Sequence, residues 1–158
     1  MRNRRSDAAS EPRDEGNGQV VGRDRPFIAP GIYRLILVTF ETHLLFDRRP
    51  KLVLRFRICD PGDHFGKEVS RWYNVVALIG HPREHGRFRV GRGSDYVLDY
   101  VTLFGKPQRL DRLPPSRFAN CVFCGRIRTV DKDHRQRKLP DCLQYSVVHE
   151  LSCIEVGA

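Results

Sequence analysis

Apolar and polar positions alternate with a period of two along most of this chain. In residues 33–46, YRLILVTFETHLLF, both alternating faces are largely apolar, the pattern of a strand buried on two sides. Residues 51–58, KLVLRFRI, alternate more cleanly: Leu52, Leu54, Phe56 and Ile58 share one face, and Lys51, Val53, Arg55 and Arg57 the other. The link DRRP, residues 47–50, suits a hairpin loop. After the turn-rich CDPGDHFG comes a third strand, residues 67–78, KEVSRWYNVVAL. The period then changes. In SDYVLDYVTLFG, Val97, Leu98, Val101 and Phe104 recur at helical spacing, with Ser94 as N-cap and Gly105 as C-cap. Two more strand-like runs, residues 117–130 and 143–156, flank a polar connection that reads as a long hairpin loop.

Three strands, a short helix and two strands is the order of a five-stranded OB-like Greek-key barrel with one helix between strands three and four. A mostly β fold of that kind is therefore expected over residues 26–158. Residues 1–25 are rich in Gly, Ser, Asp and Glu and poor in large apolar residues, so a disordered tail is expected there. No apolar stretch approaches the ~18 residues of a membrane helix, and no secretory apolar core follows the N-terminus. A chain of 158 residues is long enough to bury a core without disulfide or metal staples.

Charge sharpens the picture. The net charge is +9, and the tail supplies only +1 of it. The excess is concentrated in residues 47–57 (+4), 79–93 (+3) and 126–138 (+4). On a barrel of this order, the first and third clusters fall on the loops and strand faces with which such barrels hold oligonucleotides. The basic residues are mostly Arg, whose planar fork grips phosphate and stacks on bases. Single-stranded nucleic acid calls for cations along its backbone and flat rings against its bases. The candidate binding residues are therefore Arg48, Arg49, Lys51, Arg55, Arg57, Arg87, Arg89, Arg126, Arg128, Arg135, Arg137 and Lys138. Trp72, Tyr73 and Phe88 are the candidate stacking rings. Trp72 and Tyr73 are adjacent in a strand, so one faces the core, and the alternation alone does not say which.

Five cysteines, an odd number, suit reduced thiols and a cytoplasmic setting. Cys121 and Cys124 have half the outline of a zinc knuckle. On a strand, however, they point to opposite faces, so no metal is expected, and Cys121 and Cys153 are read as small buried apolar residues. The chain has no phosphate-binding Gly loop and no GxSxG motif, so neither catalysis nor a cofactor is expected.

The runs GIYRLILVTFETHLLF, KLVLRFRICD, GKEVSRWYNVVAL, SDYVLDYVTLFG, GRIRTV and LQYSVVHEL resemble the small OB-type proteins of phages, plasmids and integrated mobile elements. Some of those bind single-stranded DNA. The resemblance covers residues 31–155 and lies in strand layout, with no fixed binding signature to transfer. It implies a non-enzymatic single-stranded DNA-binding protein of low sequence specificity, acting in replication, recombination or transfer of a mobile element. RNA stays open as the ligand, as do homo-oligomerisation and a role as a protein-interaction or inhibitor module with a basic surface. No membrane partner is expected.

Overall fold

In the computed structural model, residues 27–45 and 48–156 are described, and the expected tail, residues 1–25, lies outside them. The long strands are β1 (Gly31–Leu45), β2 (Arg49–Ile58), β3 (Glu68–Asn74), β6 (Val122–Val130) and β7 (Tyr145–Val156). They form one antiparallel sheet in the order β3-β2-β1-β6-β7. Two short strands, β4 (Ala77–Ile79) and β5 (Arg87–Arg89), form a separate hairpin, and α1 (Asp95–Phe104) follows. No described helix is long and apolar enough to cross a membrane.

β1 belongs to both halves of the sheet. Residues 31–36 pair with β6, and residues 35–45 pair with β2. A register shift between Leu37 and Thr39 marks the change, as a bulge does. The β2 alternation is as expected: Leu52, Leu54, Phe56 and Ile58 are all buried. β1 is not buried on both sides, since Ile32, Val38 and Leu44 are exposed. Ile32, opposite the exposed Arg126, faces away from the core, and no described element packs over it.

The expected third strand breaks at Val75. Val76 donates its N–H to the Arg89 carbonyl (2.8 Å), which turns residues 77–79 out of the main sheet and into the hairpin with β5. The expected strand start at residue 117 is likewise replaced. Pro114 and Pro115 direct residues 115–118 into a 3-10 turn, and β6 begins at Val122. Helix α1 has its expected caps: the Ser94 hydroxyl accepts from the Val97 N–H, and Gly105 donates to Val101 from a positive φ of 82°. The core between sheet, helix and turn is aromatic. Phe118 lies 5.0 Å from Phe104 and 5.5 Å from Phe123, ring centre to ring centre.

The sheet does not close into the expected barrel; its edges β3 and β7 share no ladder. A side chain links them instead. Val69, Arg71 and Tyr73 face the core side of β3, and Arg71 donates to the β7 carbonyls of Val148 (3.2 Å) and His149 (2.5 Å). It also pairs with Asp99 of α1 at 2.7 Å, and the Tyr73 hydroxyl donates to the same carboxylate at 2.6 Å. Burial works against the Arg71 cation, yet Tyr73 and Asp99 hold its pKa above the usual value. Burial pushes the Tyr73 phenol well above its ordinary pKa, and the Asp99 charge pushes it further. Tyr96, whose hydroxyl donates to the Leu113 carbonyl, is raised by burial as well.

Two outcomes follow from this network. Arg71→Ala strands the Asp99 charge, and urea unfolding should show a loss of about 3 kcal/mol, the usual cost of removing one partner of a buried pair. The two phenols titrate above the unfolded value of about 10, so their contribution is intact below that pH and is lost as pH rises beyond it. Stability should therefore hold to about pH 10 and above it fall by up to about 1.4 kcal/mol per pH unit for each phenol. Tyr73→Phe should flatten that slope in denaturant titrations followed by circular dichroism.

Candidate nucleic-acid interface

The outer face of β1, β2 and β3 is set by the β2 alternation. Lys51, Val53, Arg55 and Arg57 face outward, opposite Asn74, Trp72, Ser70 and Glu68 on β3. On the β1 side, Lys51, Val53 and Arg55 lie opposite His43, Glu41 and Thr39. Trp72 is half-buried, and its ring reaches across β2 to within 5.8 Å of the His43 ring. Val53, on the same face, is only 2% exposed. This decides between the adjacent aromatics. Trp72 is on the outer face, while Tyr73 is buried and engaged by Arg71 and Asp99, so Tyr73 is corrected from stacking ring to core residue.

The cations on this face are not equivalent. Arg55 is paired with Glu41 at 2.9 Å, and Arg57 with Glu68 at 3.1 Å. Glu41 also meets His43 at 3.0 Å. Lys51 donates to Asn74, and its pKa is lowered by burial and by the nearby Arg49 charge. Arg48 and Arg49 are exposed and make no ion pair among the described residues.

The second basic cluster lies beside the same part of β1. The β4–β5 hairpin docks there: the Thr42 N–H donates to the Arg83 carbonyl (2.9 Å), and the His85 N–H to the Phe40 carbonyl (2.9 Å). The Thr39 hydroxyl donates to the Glu84 carboxylate at 2.8 Å. Gly86 makes the close approach possible, because a Cβ there would lie 2.0 Å from the Thr42 Oγ1. On β5, Arg87 and Arg89 are exposed, while Phe88 turns inward to 5.5 Å from the Tyr96 ring. Phe88 is thus a core-packing ring, corrected from exposed stacking ring by the alternation of its own short strand.

Between this hairpin and residues 110–115 lies a cleft of about 810 Å³. Arg87, Arg89, Arg92 and Arg112 line it, and Asp111 is the one carboxylate in the lining. Asp111 is held by Arg109 through two bonds, 2.7 and 3.0 Å, which lower its pKa. The four lining arginines make no ion pair among the described residues. Arg92 and Arg112 were not singled out from the sequence. Arg112 sits in a Pro-marked connection, and nothing local to it signals a binding role.

The third cluster is elsewhere. β6 pairs with residues 31–36 of β1, whereas Arg49 and Lys51 pair with its far end, residues 43–45. Arg126 and Arg128 face outward on β6, and Arg126 lies 3.8 Å from Glu150. In the loop beyond, Arg137 pairs with Asp133 (2.9 Å), whose carboxylate also accepts from the Arg135 and Arg137 N–H groups. Lys138 is exposed. The chain therefore brings the first two basic clusters together and holds the third at the opposite end of β1.

The thiols form no metal centre among the described residues, where no cluster of three or more suitable ligands occurs. Cys121 is buried, with its Sγ turned to the Arg117 carbonyl, while the Cys124 Sγ donates to Glu155 at 3.1 Å. That bond pushes the Cys124 pKa up to about 12. Cys153, expected to be buried, is exposed beside Cys124 on the adjoining strand. No protein-family model matches the chain, and neither a curated protein nor a solved structure is significantly similar to it.

Gly86→Ala tests the docking of the hairpin. The added methyl cannot share space with Thr42, so a loss of about 1–3 kcal/mol is expected, as for other overpacked sites. Limited trypsin digestion should then cut faster at Arg83 and Arg87.

Proposed function

We propose that this is a non-enzymatic protein that binds single-stranded DNA with low sequence specificity, on an OB-type partly open barrel. The observation that carries the reading is the shared outer face of β2 and β3. There the Trp72 and His43 rings share a face with Lys51 and Arg55, and the exposed Arg48 and Arg49 stand at the adjoining start of β2, so rings for bases and cations for phosphates lie close together. The strand order supports the fold part of the reading. A long first strand is shared by both halves, the helix follows the third long strand, and Arg71 spans the two open edges. We assign the protein to replication, recombination or transfer of a mobile element on the resemblance of its strand layout to small OB-type proteins of such elements.

Binding proceeds by stacking of bases on Trp72 while Arg48, Arg49 and Lys51 hold adjacent phosphates. Arg55 joins when a phosphate displaces Glu41 from it, which makes Glu41 a brake on affinity. Arg126, Arg128, Arg135, Arg137 and Lys138 act on a separate stretch of strand at the far end of β1.

Fluorescence titration with poly-dT provides the test. With about four to six phosphate contacts, log K should fall against log salt with a slope of roughly −3 to −4. Trp72→Ala should weaken binding about tenfold or more, the worth of one stacked base. Glu41→Gln should strengthen it a few-fold and steepen the salt slope by about 0.7, one further phosphate on a single strand. No binding at about 50 mM salt would overturn the proposal, since phosphate contacts are strongest there. Tighter binding of poly-U than of poly-dT would reassign the ligand to RNA.

A further inference from the structure

The cleft beside the β4–β5 hairpin has a chemistry of its own. Its volume of about 810 Å³ lies in the range of small-molecule sites. Its wall is divided by character. Phe40, Phe88, Val97 and Leu113 supply an apolar floor, and Leu110 stands 46% exposed in the lining. Arg87, Arg89, Arg92 and Arg112 supply four cations, none of them in an ion pair with a described carboxylate; Asp111, the one carboxylate of the lining, is bound by Arg109 and its charge reaches Arg112 alone of the four. Four like charges around one cleft repel one another, and an anion there relieves that cost. Guanidinium forks match phosphate oxygens, and a flat apolar body fits against Phe40 and its neighbours.

We propose that this cleft binds a nucleoside phosphate, base against the apolar floor and phosphates among the arginines, at a site separate from the Trp72 face. Such a ligand exists free or as the phosphorylated end of a strand. The proposal does not rest on the strand-binding reading, since a free nucleotide would occupy the cleft whether or not the outer face binds DNA.

Calorimetric titration of the full chain tests it, with dATP, deoxyadenosine, tripolyphosphate and a deoxyadenosine hexamer bearing either a 5′-phosphate or a 5′-hydroxyl. In support, dATP binds at least about tenfold tighter than deoxyadenosine or tripolyphosphate, because both parts of the site are used. The double variant Arg89→Gln/Arg112→Gln should weaken it by a further factor of about ten or more, as loss of charged hydrogen bonds does. Trp72→Ala should leave it unchanged. Preference for dATP identifies the free nucleotide as the source. Preference for the 5′-phosphate hexamer over the 5′-hydroxyl one, lost in the same double variant, identifies the strand end. Both arginines are exposed, so the variant should fold, and an unchanged circular dichroism spectrum verifies this. The proposal is overturned if neither dATP nor the phosphorylated hexamer binds at millimolar concentration, if tripolyphosphate binds as tightly as dATP, or if the double variant binds as well as the parent chain. Loss of hexamer binding in Trp72→Ala with dATP binding retained separates the two sites. Absence of hexamer binding in the parent chain with dATP binding intact removes the strand reading alone.

Discussion

A largely buried arginine, Arg71, joins the parts of this protein that the backbone leaves unjoined. The five-stranded sheet ends in two edges, β3 and β7, with no ladder between them. Unpaired edges expose carbonyls that need partners. Arg71 supplies them for Val148 and His149, and through Asp99 it ties the same edges to α1. Removing a guanidinium from water is costly unless its donors are satisfied. Here its donors reach Tyr73, Asp99 and two carbonyls, and among the described residues no buried side-chain polar atom is left without a partner. The helix held this way brings Tyr96 and Tyr100 against Phe118, so the aromatic core depends on a polar link at its rim.

That link was not legible in the chain, because alternation did not say whether the Trp72 or the Tyr73 face of β3 is the core side. With Val69 and Tyr73 buried, Arg71 falls on the core side between them, where a charge needs a partner. The partner, Asp99, lies 28 residues away on a different element, and alternation carries no information about it. The same division runs through the rest of the fold. The β2 faces and the caps of α1 were legible because neighbours within a few residues determine them. The break at Val75 was not, because it depends on a bond to the Arg89 carbonyl across the hairpin. The apolar run of β1 suggested two-sided burial, but Ile32, opposite the outward Arg126, is exposed, and so is Leu44 at the far end of the strand.

Charge behaved in a similar way. Counting residues along the chain located three basic clusters but could not say which cations were already satisfied. Arg55, Arg57, Arg126 and Arg137 each face a carboxylate, and three of those carboxylates come from other strands or turns of the local register. Arg87, Arg89, Arg92 and Arg112 do not; Arg92 lies in the second cluster without having been a candidate, and Arg112 comes from a connection outside all three clusters. Whether a cation can meet a ligand is a property of the pairing, and the pairing is long-range.

Residues 39–43 of β1 are where these threads meet. On one side this stretch pairs with β2, carrying Glu41 against Arg55 and His43 towards Trp72. On the other it receives the hairpin through Thr39, Phe40 and Thr42. The Trp72 face and the arginine-lined cleft are therefore separated by a single strand. A single strand pinned on both edges by backbone bonds is a stiff wall, since shifting it breaks the pairing on both sides together. Two anionic ligands on opposite sides of such a wall interact through charge more than through movement, and salt screens that repulsion over about 10 Å at 0.1 M. The placement of Glu41 and Glu84 along the same stretch puts negative charge between the two groups of cations, which keeps the two surfaces electrostatically distinct.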